Sequence, residues 1–273
     1  MDFTLIMRLT KEQKLNLGDL YSTGKFTFTD LSKEFNKPIS SIKYILNSMG
    51  YVAKPQTELK RKYYVNTRYF QNIDTCDKAY FLGWIFSDGN INIKNNCLRI
   101  SLKESDKEVL VLLKKLIKSE KPLKFINVDK KREGFEKSED QFLLEISSKE
   151  IIKDLLAIGV RENKSINSTF PTISEDLYPY FIRGYFEGDG WFTNTLKTKQ
   201  FGIIGSKEFI KPLQELLSCY GIKMNINKKG KMFTLTCGGK LNENYKKFFN
   251  IVYKDNTELS LRRKYEKLAQ EIY

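Results

Sequence analysis

Phe81-Leu82-Gly83-Trp84-Ile85-Phe86-Ser87-Asp88-Gly89 is followed, 101 positions later, by Ile182-Arg183-Gly184-Tyr185-Phe186-Glu187-Gly188-Asp189-Gly190. The offset holds outside the nine residues, since Ser105, Leu112 and Leu116 fall on Ser206, Leu213 and Leu217. Around each block the apolar residues recur with helical and then strand periods. The pattern predicts helix, two strands, helix, two strands, helix in each copy. In the first copy strands are expected near 90–95, 98–103, 123–129 and 141–147, with helices near 105–118 and 149–158. In the second they are expected near 191–195, 199–204, 223–228 and 232–237, with helices near 207–218 and 242–252. The fold class is therefore α+β: two αββαββα units, 76–175 and 176–273, related by a pseudo-two-fold within one chain.

Within each block two small residues stand four apart, Gly83 with Ser87 and Gly184 with Gly188. That spacing puts them on one helical face, where small side chains let two helices approach backbone to backbone. Tyr80 to Phe86 is apolar almost all round, as a helix buried between two subdomains should be. Each helix is expected to end at Asp-Gly, the glycine being a natural C′ residue. An acid at a helix C-terminus is disfavoured by a few tenths to ~1 kcal/mol, and two such ends side by side repel further. A divalent cation between Asp88 and Asp189 reverses that preference, because it pairs with both carboxylates and with helix-end carbonyls at Ser87 and Gly188.

The chain carries 47 Lys and Arg against 33 Asp and Glu, a net charge of +14, which favours a polyanionic partner. It contains no histidine. Serine–histidine triads, histidine-based metal nucleases and finger-type zinc sites are thereby excluded. Cys76, Cys97, Cys219 and Cys237 form no CxxC pair, so they read as core thiols of a reducing compartment. Neither a signal peptide nor an apolar run of about 20 residues is visible, so an intracellular, cytoplasmic location without membrane is expected.

Residues 1–75 read as a separate helical module and linker. Thr10 is expected to cap a helix to about Tyr21, with Leu15, Leu17 and Leu20 in its core. Thr29 is expected to cap a short helix to Phe35, and Asn36-Lys37-Pro38 to turn into a third helix, Ile39–Met49, ending at Gly50. Two short helices and a tight turn suggest helix-turn-helix. Ile42, Ile45 and Leu46 would then face inward, while Ser40, Ser41, Lys43, Tyr44 and Asn47 would meet DNA. Lys60-Arg61-Lys62-Tyr63-Tyr64-Val65 mixes cations with strand formers, as a wing on phosphates would.

FLGWIFSDG and IRGYFEGDG resemble the paired signature of the LAGLIDADG homing endonucleases, and the resemblance spans roughly residues 78–273. It implies a monomeric, pseudo-two-fold enzyme that cuts double-stranded DNA at a long site using Mg²⁺ or another divalent cation. The family's catalytic acid falls on Asp88 and Asp189. The sixth signature position, often acidic in the family, is Phe86 in the first copy and Glu187 in the second, which makes Glu187 a secondary candidate. Leu156 to Ser165 resembles the segment that supplies a basic active-site residue and places Lys164 in that role. Lys264, 75 residues after Asp189 as Lys164 is 76 after Asp88, is its counterpart, with Lys254 in reserve.

Recognition is expected from the strands. Asn90, Asn92 and Lys94 alternate with Ile91 and Ile93, and Lys223, Asn225 and Asn227 alternate with Met224 and Ile226. One face is apolar, and the other can enter a major groove. The competing reading is a non-cleaving DNA-binding regulator, or an RNA-splicing maturase, on the same scaffold.

Overall fold

The computed structural model describes residues 9–23, 26–51, 62–129, 139–162, 168–194, 199–238, 243–255 and 258–270. They form two compact units, Met1–Tyr63 and Tyr64–Tyr273.

The first unit holds three helices, α1 (Lys11–Ser22), α2 (Phe28–Glu34) and α3 (Ile39–Ser48). Thr10 and Gln13 close a capping box on α1, each side chain accepting from the other's backbone N–H. The cap of α2 is Thr27, not Thr29. Thr27 has an acid three residues on, so Thr27 Oγ1 accepts from Asp30 N at 3.1 Å while Asp30 Oδ2 accepts from Thr27 N at 2.8 Å. Asn36 takes φ +46° in the turn, and Gly50 takes φ +83° beyond α3. Leu17, Tyr21, Phe28, Leu31, Ile42 and Leu46 form the core, with Leu20 and Ile45 packed on its edge. Leu15 is not part of it and is 57% exposed, because residues two apart lie on opposite sides of a helix.

The expected wing is not found in its described part. Lys60 and Arg61 lie outside the described residues, and Lys62–Val65 forms no strand. Tyr64 instead pairs its backbone with Glu120, and Val65 is buried. Residues 64–75 join the second unit: Tyr69 and Phe70 pack with Phe81 at ring separations of 5.8 and 5.2 Å.

In the second unit each copy follows the predicted order. The first copy runs α4 (Cys76–Ser87), β1 (Gly89–Asn92), β2 (Cys97–Lys103), α5 (Lys107–Leu116), β3 (Lys124–Ile126), β4 (Gln141–Ser147) and α6 (Lys149–Ile158). The second runs α7 (Tyr178–Asp189), β5 (Gly190–Asn194), β6 (Lys199–Gly205), α8 (Lys207–Cys219), β7 (Asn225–Lys229), β8 (Met232–Gly238) and α9 (Glu243–Val252). A further helix, α10 (Arg262–Ala269), has no place in the expected order; its first turn carries Arg262, Arg263 and Lys264, and among its residues only Leu268 is fully buried. The strands form two antiparallel sheets of matching order, β1-β2-β4-β3 and β5-β6-β8-β7. β1 stops at Asn92, whose Oδ1 accepts from Asn95 N at 2.8 Å and turns the chain.

α4 and α7 pack along each other, and the reason is legible atom by atom. A methyl at Gly83 would lie 2.3 Å from Phe181 O, and one at Gly184 would lie 2.2 Å from Tyr80 O. Gly89 and Gly190 are not left-handed C′ residues. The chain passes straight into β1 and β5, and Gly190 has φ −91°. Glycine is required there for space, since a Cβ would sit 2.5 Å from Ile85 O or 2.4 Å from Phe186 O.

Candidate active site

The helix pairing brings the two motif acids to one end of the α4–α7 pair. Asp88 caps α4, its N–H reaching Trp84 O at 2.9 Å, and Asp189 is the last residue of α7. Gly188 lies directly against the first copy: a methyl there would meet Ser87 Oγ at 2.0 Å and Asp88 Oδ2 at 2.2 Å. Any larger residue there would collide with the Ser87 and Asp88 side chains.

Tyr185 senses both acids. Its hydroxyl is held well above the ordinary phenol range, first by burial and then by the Asp189 and Asp88 carboxylates. It also donates to Ile204 O at 2.9 Å. Sequence reasoning missed Tyr185, although its position four residues before Asp189 places both on one face of α7.

Lys264 stands at the same end. Its Nζ donates to Phe186 O at 2.9 Å, Gly190 O at 2.7 Å and, more distantly, Gly188 O at 3.4 Å. It is not a solvated surface charge. Burial and then Arg263 push its pKa down to about 8, against the pull of Glu187, Asp88 and Asp106. Three carbonyls at a helix end hold an ammonium where the backbone is most negative. Lys254 is elsewhere, 5.7 Å from the ring of Tyr180 in the first turn of α7. Lys164 lies outside the described residues.

Glu187 does not join the acids. Its Oε2 accepts from Tyr80 OH at 2.6 Å and its Oε1 from Tyr253 OH at 3.1 Å. Burial pushes its carboxyl up to about 7, opposed by these hydrogen bonds, by the Leu261 backbone and by Arg183. Arg183, also fully buried, donates to Val252 O, Leu259 O and Asp255 Oδ1. The matching Phe86 packs instead on Phe181 and Phe209. The sixth motif position is thus a packing position in one copy and a polar hub in the other.

Among the described residues no three His, Cys, Asp or Glu side chains gather as a ready-made metal cage. Two carboxylates and helix-end carbonyls suit a hard cation that completes its shell with water and phosphate oxygens, as Mg²⁺ does.

Of the strand candidates, Asn90 and Asn92 lie on β1 and Asn225 and Asn227 on β7, alternating with the core-packed Ile91 and Ile226. Asn90 is exposed and Asn92 half-buried, flanking the buried Ile91. Lys94 and Ile93 belong to the turn, where Ile93 is 43% exposed and so does not extend the apolar face. Asn225 and Asn227 are exposed on β7, opposite Thr236 and Thr234, and Lys223 precedes them, exposed. Two further residues share these faces. Arg99, opposite Asn90, is paired with Glu145 at 2.8 Å, and Trp191 lies over Gly202. In the first unit Ser40, Lys43, Tyr44 and Asn47 are exposed on α3 and Ser41 is half-buried; Tyr44 is 75% exposed.

Residues 176–252 match the family model of the LAGLIDADG-like domain. The structure resembles the homing endonuclease I-WcaI bound to its DNA recognition sequence, with 14% identity, 78% of this chain and 94% of that chain covered, and a TM-score of 0.52. Weaker likenesses include the I-LtrWI LAGLIDADG homing endonuclease bound to target DNA (15%, 75% and 90%, 0.45). The N-terminal LAGLIDADG domain of DUF199/WhiA is similar at the same level (19%, 68% and 87%, 0.46). No curated protein sequence matches. The chain carries a LAGLIDADG-like domain in its second repeat, and its two antiparallel four-stranded sheets around paired motif helices are the LAGLIDADG fold. No described helix is long and apolar enough to cross a membrane.

Proposed function

We propose that this protein is a site-specific, divalent-metal-dependent DNA endonuclease. The observation that carries the reading is the convergence of Asp88 and Asp189 beside Gly188, at an end where Lys264 also lies. Two acids at adjacent helix ends are unfavourable for stability alone, and a cation shared with substrate phosphates makes them useful. Asp88 and Asp189, with the Ser87 and Gly188 carbonyls, would hold Mg²⁺, which when bound lowers the pKa of water and stabilises charge on phosphoryl oxygens.

The chain's own residues then have distinct tasks. Tyr185, unable to ionise near neutral pH, keeps a fixed hydroxyl beside the acids. Lys264 neutralises the carbonyl-rich end of α7 and is placed to stabilise developing negative charge on the substrate strand. Lys164 is the proposed counterpart for the other strand. The faces bearing Asn90, Asn92, Lys94, Lys223, Asn225 and Asn227 would read base edges, and the net charge of +14 would draw the duplex in. The α2–α3 pair of the first unit, with Lys43 and Tyr44 exposed, would act as a helix-turn-helix.

One feature favours a second reading, a DNA binder that does not cut. The Lys264 ammonium is already satisfied by backbone carbonyls, so it serves α7 as a cap without any substrate. Incubating purified protein and Mg²⁺ with a plasmid library of random inserts separates the two. Linearised members with a common site support the nuclease; retarded but uncut members overturn it in favour of the binder.

A further inference from the structure

Asp106 ends a short 3-10 turn, Glu104–Asp106, and occupies the N-cap of α5, yet its carboxylate makes no bond to its own helix. It accepts instead from a residue 157 positions away. Arg263 Nε reaches Asp106 Oδ1 and Arg263 Nη2 reaches Oδ2, each at 2.6 Å, a two-pronged pair between first and second repeats. Asp106 is only 6% exposed, so the pair is shielded on the acid's side. A second bond joins the same two helix starts, from Arg262 N to Glu108 Oε1 at 3.3 Å. Arg262 and Arg263 open α10, and the next residue is Lys264, whose Nζ lies on the α7 carbonyls. Among the described residues no matching clamp joins the other half. The residue matching Asp106 is Lys207, and Arg161 in the first copy donates to Leu156 O and Val160 O of its own helix end.

We propose that Asp106 of the first repeat is a positioning residue for the second repeat's half-site: by clamping Arg263 it fixes the start of α10 and so holds Lys264 at the end of α7. Its catalytic consequence rests on the nuclease reading above; the clamp itself does not. The chemistry is one-sided, so losing the clamp should slow one DNA strand and spare the other. A misplacement near 1 Å costs on the order of 10²-fold in rate, which sets the scale of the effect.

The test uses the full chain as wild type, Asp106→Asn and Asp106→Glu. The first readout is strand-resolved cleavage of a plasmid selected from the library. Asp106→Asn should slow one strand by about thirtyfold or more, leaving nicked circles, while Asp106→Glu recovers most of the rate. Equal slowing of both strands, or no slowing, overturns the proposal. The second readout does not need activity: amine acylation followed by mass spectrometry of the Lys264 peptide. Asp106→Asn should raise Lys264 acylation about fivefold or more, as local release of a closed segment does, with Lys254 unchanged. If the wild type cuts no library member, the nuclease reading fails and acylation alone decides the clamp. Lys264 acylation equal to wild type in Asp106→Asn overturns it.

Discussion

The Tyr80 hydroxyl of the first motif helix donates to Glu187 Oε2 of the second at 2.6 Å, a buried bond across the pseudo-two-fold with no mate in the other direction. Glu187 also holds Tyr253, and Arg183 one turn earlier holds Val252, Asp255 and Leu259. The chain that leads to α10 is therefore anchored to α7 by a polar network, where the first copy has Leu82 and Phe86 in the equivalent places.

That network gives a pH signature. Glu187 titrates near 7 when folded, above the ordinary carboxylate value, so between about pH 4.5 and 7 the folded state binds more protons than the unfolded one. Stability therefore falls as pH rises through that window and levels off above it. Thermal unfolding in EDTA from about pH 4.5 to 8 should show this slope in wild type and its reduction in Glu187→Gln. Parallel curves for the two proteins would contradict the assignment.

The helix pairing makes a sharper prediction. Gly83→Ala or Gly184→Ala drives a methyl into a carbonyl oxygen at 2.3 or 2.2 Å, and backbone cannot yield as a side chain would. Overpacking of this kind costs about 1–3 kcal/mol or more. Gly230→Ala, in the same unit, is the control: nothing lies within 4 Å, and the cost there comes from φ +62°, about 1 kcal/mol. Denaturant midpoints should rank both motif variants well below Gly230→Ala.

Much of this architecture is legible in the chain because the duplication repeats every local signal. The strand and helix periods, the small-residue face and the helix-end acids each occur twice, so each confirms the other, and α6 matches its expected bounds of 149–158. What escapes a sequence reading is unique to one copy. α10 buries only Leu268 fully, with Tyr265 and Ala269 packed beside it, and this narrow apolar stripe is set among Arg262, Arg263, Lys264, Glu266 and Lys267, so it does not stand out as a helix. The hub role of Glu187 depends on Tyr80 and Tyr253, which lie 107 and 66 positions away and carry no sequence signature. Gly89 and Gly190 suggest a positive φ from sequence but are needed for space, a distinction that only the packed neighbours reveal.

Removing the acids separates chemistry from binding. Asp88→Asn or Asp189→Asn should abolish double-strand cleavage in Mg²⁺, since each replaces a charged oxygen ligand by an amide of the same shape. DNA affinity in Ca²⁺ or EDTA should stay within about tenfold, which is ~1.4 kcal/mol. A variant that still cuts both strands at the wild-type rate would remove Asp88 and Asp189 from the mechanism.

The boundary at Tyr63–Tyr64 decides how the first unit should be tested. Truncation at residue 75 would strip Val65, Tyr69 and Phe70 from the core of the second unit and confuse weakened binding with impaired folding. Truncation after Tyr63 leaves that core whole, together with Asp88, Asp189 and Lys264. The shortened chain should therefore remain folded and cut DNA with Mg²⁺. It also lacks Lys43, Lys60, Arg61 and Lys62, each able to displace a counterion from a phosphate. The slope of log affinity against log salt should become shallower by about 0.9 for each phosphate that these cations no longer neutralise. Binding measured over a matched salt series reads this directly. Unchanged affinity and slope would mean that α2 and α3 do not touch DNA, and that the first unit is a packing or partner-binding module instead.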